Sequence, residues 1–373
     1  MKHGADIYEK TLSSVIKGVA PLDAHAEDEA REYQSRLAKP PGSLGRLEEL
    51  SVQLAGITGR VHNELDKKRV ISFCADNGVT EEGVASAPQS VTLSQTLNMA
   101  HGKTGAAVLA KRFGCEMRVC DVGVNAEIND PAVTDRKLAY GTQNITKGAA
   151  MTRDQALRAV LCGVELACAA ADDGVKVIGV GEMGIGNTTT SSAVLSVLTG
   201  RAVEEVTGRG AGITDEAYKR KISVIKKAIT LNRPDKNDVV DVISKVGGFD
   251  IAAMAGAFIG AAYSRIPAVV DGFISVVAAL CAYRLCPLSR EYMIPSHRSF
   301  EIGYAAAVNE LGLIPLFDLG MRLGEGSGCP IAMMMLDGAC AVINGMATFC
   351  EANINDEYLD EIRKTDSFSV KDI

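Results

Sequence analysis

The sequence predicts an α/β protein in which a parallel sheet is flanked by helices on both faces. Short runs of β-branched residues alternate with longer helical patterns along most of the 373 residues. Several of these runs end in aspartate or glycine, which is typical of a parallel sheet that binds ligands at its strand ends. The composition agrees, because 47% hydrophobic residues with 37 glycines suit a globular enzyme.

The alternation predicts four strands, each followed by a turn or loop. They fall at residues 69–75, 117–122, 175–180 and 267–270. Helical periodicity predicts helices at residues 5–36, around Leu47, Leu50 and Leu54, and at 91–113, 153–171, 251–262 and 331–354. A loop at residues 39–46 is predicted by its prolines and glycines.

The length and the helical ends of the chain predict two domains. We expect residues 1–40 plus 330–373 to form a small helical domain. Residues 41–329 should form a large parallel α/β catalytic domain.

Charge, cysteines and histidines argue against several classes of protein. The formal net charge is −7 without a lysine–arginine cluster, so we expect no nucleic-acid partner. The polar first residues and the lack of a long apolar stretch predict neither a signal peptide nor a membrane span. Ten cysteines without a CxxC pair predict a cytoplasmic protein with buried thiols. The five histidines form no HxH or HExxH pattern, so we expect no protein-bound catalytic metal.

A glycine-rich segment at residues 179–190 is the first candidate site. It follows a predicted strand and opens a helix, so backbone N–H groups and the helix dipole favour an anion there. Three of its residues match the G-x-G-x-x-G pattern of dinucleotide sites: Gly179, Gly181 and Gly184. That pattern would indicate a nicotinamide-dependent oxidoreductase. Glu182 suits a pyrophosphate poorly, whereas Gly186 and the threonines at 188–190 suit a monophosphate and ribose. A structural turn is the third possibility, and the residues alone leave all three open.

Three further segments carry candidate residues. Gly210 and Gly212 lie in a glycine loop followed by a basic segment that ends at Lys221, which suits either an anion or a solvated helix face. His297 follows a proline turn and is either structural or a ligand contact. Glu325 stands among glycines before a long apolar segment. A carboxylate there either stabilises a helix start or acts as a catalytic base, and the residues alone do not decide.

Eight short segments, spread over nearly the whole chain, match one family in the same order. They are residues 39–48, 75–79, 81–84, 179–182, 246–250, 271–273, 294–297 and 321–328. Together they resemble the nicotinate-nucleotide–dimethylbenzimidazole phosphoribosyltransferase family, which acts in the assembly of the cobalamin nucleotide loop.

The resemblance implies a fold and a reaction. The fold is a Rossmann-like parallel sheet with a small helical domain, and the protein is expected to be a homodimer. The reaction transfers 5-phosphoribosyl from nicotinate mononucleotide to 5,6-dimethylbenzimidazole, with inversion at the anomeric carbon. Its products are α-ribazole 5′-phosphate and nicotinate, and no metal or other cofactor is expected.

The resemblance also assigns roles to residues of this chain. Glu325 is the expected general base, and Glu182 and Lys221 accompany it around the ribose phosphate. The expected nucleotide pocket comprises Gly181, Met183, Gly184, Ile185, Gly186, Asn187, Thr188, Gly210, Gly212, Ile294, Pro295 and Ser296. The expected base pocket comprises Ala87, Gln95, Met183, Leu323 and Gly324.

Two positions depart from the family pattern. Asn77 stands where family members often have histidine, and Ala87 stands where they often have serine. Both are expected near the base, so they bear on which aromatic base is preferred and leave the reaction type unchanged.

Overall fold

A computed structural model describes residues 2–363 of the chain. Six strands form one sheet in the order β3-β2-β1-β4-β5-β6, and every neighbouring pair is parallel. The strands are β1 Lys68–Ala75, β2 Cys115–Gly123, β3 Val133–Asp135, β4 Val177–Met183, β5 Ala268–Val270 and β6 Met293–Pro295.

Helices connect the strands and occupy both ends of the described chain. The α-helices are α1 Lys2–Gly18, α2 Ala24–Arg36, α3 Arg46–Thr58, α4 Val91–Ala100, α5 Gly105–Arg112, α6 Arg153–Asp172, α7 Asn187–Thr199, α8 Val203–Val206, α9 Asp215–Asn232, α10 Val239–Val246, α11 Phe249–Tyr263, α12 Phe273–Leu285, α13 Gly303–Leu311, α14 Cys329–Gly345 and α15 Asp360–Arg363. Short 3-10 helices span Gly78–Glu82, Pro287–Tyr292 and Glu357–Leu359. Within residues 2–363, every helix is too short or too polar to cross a bilayer.

The strand order reverses direction at the centre of the sheet. β1 pairs with β2 on one side and with β4 on the other, in a register that runs from Lys68 opposite Val177 to Cys74 opposite Met183. In a doubly wound sheet, the loops diverge above such a point and leave a crevice at the carboxyl ends of the strands. This is where the fold is expected to bind a ligand.

The core is tightest where α6 meets α11. Gly163 and Gly256 lie in the contact, and a Cβ added to either would come within 1.8 Å of a carbonyl oxygen on the other helix. The two backbones can approach this closely only because neither glycine carries a side chain. The pair supplies a rigid layer beneath the sheet, since α11 also contacts β1, β2, β4 and β5.

The predicted fold class is confirmed, and all four predicted strands are present. β3 and β6 were missed because each has only three residues, too few for a periodic pattern. The predicted helix at 331–354 ends at Gly345.

The chain divides into two compact units whose bounds differ from the predicted ones. Within the described residues, the larger comprises 2–20 and 67–332, and the smaller comprises 21–66 and 333–363. α1 belongs to the larger unit, where it packs on α6 and α11. α3 belongs to the smaller unit, where it packs on α2. The core of the smaller unit contains Ala26, Ala30, Val52, Ala55 and Ile343.

Candidate active site

A cleft of about 290 Å³ lies where the crevice is expected. Its walls come from segments at or after the ends of β1, β4 and β5, together with residues 209–211, 213, 297, 299, 301 and 322–325. The glycine loop after β4 and the loop that carries Glu325 therefore meet in one cleft, although they are far apart in sequence.

The loop that carries Glu325 has an unusual backbone. Gly324, Glu325 and Gly326 have positive φ angles of 82°, 63° and 83°. Glycine adopts this region freely, whereas a residue with a side chain is destabilised there by about 1–2 kcal/mol. The Asp271 carboxylate, just after β5, holds the loop by accepting hydrogen bonds from the amides of Gly326 at 3.1 Å and Gly328 at 2.7 Å. The strained backbone of Glu325 is thus fixed by a buried neighbour.

Glu325 is only 4% exposed, yet it lines the cleft. Its Oε2 accepts a hydrogen bond from the Ala106 amide, in the first turn of α5, at 3.2 Å. Its own amide faces the Glu182 Oε1 atom at 3.4 Å. A carboxylate can accept about four hydrogen bonds. Glu325 therefore keeps acceptor capacity for a donor that enters the cleft.

Glu182 lies beside Glu325 in a group of buried carboxyls. Burial, and then the charge of nearby Asp250, raises the pKa of Glu182 to about 8. Asn187 joins the two acids, because its Nδ2 donates to Glu182 Oε2 and, at 3.1 Å, to Asp250 Oδ2. Burial also raises the pKa of Asp250 to about 6. This raised pKa favours the protonated form of Glu182, and a cation placed beside it would favour its ionised form. Across the described residues, no group of three or more histidine, cysteine, aspartate or glutamate side chains is arranged to hold a metal ion.

Another part of the cleft is suited to an anion. α7 begins directly after Gly186, whose φ of 91° turns the chain into the helix. Lys221 of α9 donates from Nζ to Thr188 Oγ1 at 2.8 Å. The lysine is 1% exposed, and burial lowers its pKa to about 8, while the charge of Glu301 acts in the opposite direction. A helix start, a hydroxyl and a buried ammonium group are the kind of groups that suit a phosphate.

The residues expected to bind the base all line the cleft: Ala87, Gln95, Met183, Leu323 and Gly324. Leu323 is 57% exposed and packs over α5, where a Cβ on Gly105 would lie 2.6 Å from its Cδ2. Further apolar surface comes from Val84, Val91 and Phe273. This part of the cleft can therefore receive a flat aromatic group.

The residues expected to bind the nucleotide divide into two sets. Those that line the cleft are Met183, Gly184, Ile185, Gly186, Asn187, Thr188 and Gly210. Those that stand outside its lining are Gly181, Gly212, Lys221, Ile294, Pro295 and Ser296. Gly181 is a residue of β4, and Lys221 reaches the wall through Thr188. Residues 294–296 are buried in and just after β6, so the chain meets the cleft only at the next residue, His297.

The two departures from the family pattern lie in different environments. Ala87 lines the cleft, as expected. Asn77 is fully buried at the end of β1, and its Oδ1 accepts a hydrogen bond from Thr190 at 3.1 Å. Asn77 therefore lies outside the lining of the cleft.

Several residues of this region were missed from the sequence as site residues: Asp250, Asp271, Ser299, Glu301 and Arg322. The Asp-Gly pair after β5 was a usable signal for Asp271. The other residues have no comparable local pattern.

His297 is 1% exposed, with Nδ1 3.8 Å from Asp271 Oδ1 and its ring stacked on Phe317. It therefore has a structural role while also forming part of the wall.

The G-x-G-x-x-G pattern does not form a dinucleotide loop. Gly179 and Gly181 lie inside β4, where they pair with Val70 and Ser72 of β1. A dinucleotide fingerprint needs these glycines in the turn after the strand. The oxidoreductase interpretation of this segment is therefore not supported.

A switch-point cleft in which a helix start and a buried lysine lie near buried carboxyls suits an enzyme that acts on a sugar phosphate. A family model described as "Phosphoribosyltransferase" matches residues 19–354. A relative from Clostridium perfringens, named nicotinate-nucleotide–dimethylbenzimidazole phosphoribosyltransferase, is 50% identical over 359 residues, which cover 96% of this chain and 99% of the relative. A relative of the same name from Clostridium acetobutylicum is 49% identical, over 92% of this chain and 97% of its own.

A solved structure agrees with these relatives. CobT from Thermus thermophilus superposes with a TM-score of 0.86 at 38% identity, covering 89% of this chain and 99% of that one. The chain belongs to the nicotinate-nucleotide–dimethylbenzimidazole phosphoribosyltransferase family, which confirms the resemblance found in the sequence.

Proposed function

We propose that the protein transfers the 5-phosphoribosyl group of nicotinate mononucleotide to 5,6-dimethylbenzimidazole, forming α-ribazole 5′-phosphate and nicotinate. The observation that carries this proposal is the contact of the Glu325 amide with the Glu182 carboxyl, in a cleft whose wall also includes Thr188 with its hydrogen bond from Lys221. The membership of the family and the names of the relatives support the choice of substrates.

The proposed role of Glu325 is that of general base. One ring nitrogen of the benzimidazole forms a bond to the anomeric carbon, while the bond from that carbon to nicotinate breaks and its electron pair stays on the pyridine nitrogen. The new adduct carries a positive charge until the second ring nitrogen releases its proton. Glu325 has free acceptor capacity for that proton, and its negative charge stabilises the cationic transition state.

The proposed role of Glu182 is electrostatic. Nicotinate mononucleotide has a positively charged ring nitrogen on the anomeric carbon, and the ribose becomes cationic as that bond breaks. A cation beside Glu182 would lower its raised pKa and favour the carboxylate. The ionised group, which strand β4 positions, then stabilises positive charge at the reacting carbon.

The proposed phosphate anchor is formed by the start of α7 with Thr188 and Lys221. Holding the phosphate fixes the ribose, and the apolar wall with Leu323 holds the base beside it. Placing both reactants in one geometry can supply several kcal/mol of the acceleration, up to about 7–11 kcal/mol in model systems.

A direct assay tests the proposal. The purified protein is incubated with nicotinate mononucleotide and dimethylbenzimidazole, and α-ribazole 5′-phosphate is sought by chromatography. We expect product and nicotinate in equal amounts. Absence of product, with binding of NADH detected by fluorescence instead, would overturn the proposal in favour of the oxidoreductase alternative.

The resemblance to the family further supports a homodimer that works in the cytoplasm. Light scattering after size-exclusion chromatography measures the assembly, and a mass of one chain would contradict it.

A further inference from the structure

Glu301 is a carboxylate in the cleft for which the proposed reaction has no assigned role. It lies shortly before α13 and lines the cleft. Its Oε2 atom is buried and accepts no hydrogen bond from the residues that the structure describes. An unmatched buried acceptor is unfavourable unless something supplies a donor. Glu301 therefore needs an explanation.

The neighbouring glycine loop is shaped to admit this side chain. A Cβ on Gly208 would lie 1.9 Å from Glu301 Oε2 but 3.5 Å from Oε1. Oε2 therefore lies against the backbone of the loop, and Oε1 lies farther from it. A side chain at position 208 would require the Glu301 carboxylate to move. The Gly210 amide, in the same loop, is close enough to lower the pKa of Glu301, which burial raises.

Glu301 also lies near the proposed phosphate anchor. Its charge and that of Lys221 act on each other's pKa, lowering that of the acid and raising that of the lysine. An ionised carboxylate accepts hydrogen bonds and donates none, so it repels a phosphate. Glu301 can instead accept a hydrogen bond from an uncharged O–H or N–H group of the same ligand whose phosphate the anchor holds.

The proposed substrates offer few such donors. The 5′-phosphate and the nicotinate carboxylate are anions at neutral pH, and the N–H of the base is assigned to Glu325. The remaining donors are the 2′- and 3′-hydroxyl groups of the ribose. Along the sugar they lie between the phosphate and the anomeric carbon, so a nucleotide held at the proposed phosphate anchor would carry them into the part of the cleft that Glu301 lines.

We propose that Glu301 accepts hydrogen bonds from the ribose hydroxyls of the nucleotide and makes the enzyme selective for ribonucleotides over deoxyribonucleotides. This inference rests on the proposed function, because it takes nicotinate mononucleotide as the substrate. Glu301 touches the sugar and not the bond that breaks, so it contributes to orientation and specificity.

The test is a thermodynamic cycle in which one change is made in the enzyme and the other in the substrate. The value of kcat/KM is measured for wild type and Glu301→Gln with nicotinate mononucleotide and with its 2′-deoxy and 3′-deoxy analogues. Differences in the intrinsic reactivity of the sugars cancel, since both enzymes receive the same substrates. Removing from the substrate the hydroxyl that Glu301 binds should lower kcat/KM in both enzymes. We expect the fall to be about 10- to 100-fold larger in wild type than in Glu301→Gln.

Two controls separate this role from a structural one. Glu216→Gln changes an exposed acid on α9, whose side chain is 86% accessible, and should retain the wild-type discrimination. Glu301→Ala should lose discrimination as Glu301→Gln does, so the result does not depend on how glutamine fits against Gly208.

The outcomes are distinct. The inference is wrong if both Glu301 variants keep the wild-type ratio of kcat/KM between nicotinate mononucleotide and each deoxy analogue. This holds even if the overall activity of the variants is low. If wild type makes no α-ribazole 5′-phosphate from the ribonucleotide, the proposed function itself has failed.

Discussion

Gly181 and Glu325 lie backbone against backbone: a Cβ added to Gly181 would stand 2.7 Å from the carbonyl carbon of Glu325. The same atom would stand 2.5 Å from the Gly326 nitrogen. Gly181 is a paired residue of the central strand β4. The loop with the proposed base therefore rests on the sheet, and this contact explains how an irregular segment can position a carboxylate reproducibly.

Gly181→Ala should displace the loop that carries Glu325. The methyl group has no space in the contact, so the loop must move away from β4. A shift of about 1 Å in catalytic geometry can reduce the rate about 100-fold, and we expect a fall of kcat of that order. Steady-state kinetics measures it. Gly148→Ala is the matched control, because a Cβ there would meet nothing within 4 Å. Equal activity of the two variants would contradict the proposed support of the loop.

Lys221→Met should weaken binding of the nucleotide. Removing the ammonium group leaves the phosphate without its buried cation, and KM for nicotinate mononucleotide should rise about 10- to 100-fold, with a smaller effect on kcat. Lys219→Met, at an exposed position of the same helix, serves as the control. An unchanged KM in Lys221→Met would argue against the phosphate site.

The same lysine predicts a pH dependence. Burial lowers the pKa of Lys221 to about 8, so the ammonium group loses its proton as the pH rises through that value. Affinity of the wild type for the nucleotide should fall above pH 8, and this component should be missing from Lys221→Met. Titration of nucleotide binding between pH 7 and pH 9 measures the difference between the two proteins.

Glu182→Gln should flatten the dependence of stability on pH. The pKa of Glu182 is raised from its ordinary 4.5 to about 8, so between these values the folded protein holds a proton that the unfolded chain has released. Stability therefore falls as the pH rises through this window. The variant lacks this contribution, and its loss of stability from pH 5 to pH 8 should be smaller by about 2–4 kcal/mol.

Urea unfolding at the two pH values measures this effect. Part of the slope should remain in the variant, because burial also raises the pKa of Asp250 and Asp271. The exposed Glu216→Gln variant should keep the wild-type slope. A slope in Glu182→Gln as steep as that of wild type would mean that Glu182 ionises normally in the folded protein.

The sequence predicted the site best where the residues of one short segment determine the local backbone conformation. Aspartate and glycine after β-branched runs located the ends of β1, β2 and β5, and hence the edge of the sheet that forms the cleft. The glycines around Glu325 also singled it out as a candidate site residue. In the structure both flanking glycines have positive φ, as this backbone requires.

The remaining features depend on partners far away in sequence. Helical periodicity shows that α1 and α3 bury one face but does not say which helix covers it, so it does not decide which of the two units each helix joins. Glu301 carries no local signal, because its position depends on the space left at Gly208. Asp250 was missed for the same reason, since its bond to Asn187 joins two different helices.

The most direct test of the proposed chemistry is Glu325→Gln. Glutamine retains a carbonyl oxygen for the Ala106 amide but cannot take a proton from the base. We predict that kcat falls about 100- to 10,000-fold, while the dissociation constant for nicotinate mononucleotide changes by less than about 3-fold. Calorimetry gives the dissociation constant, and the rate of α-ribazole 5′-phosphate formation gives kcat. Turnover at the wild-type rate would contradict the assignment of Glu325 as the base.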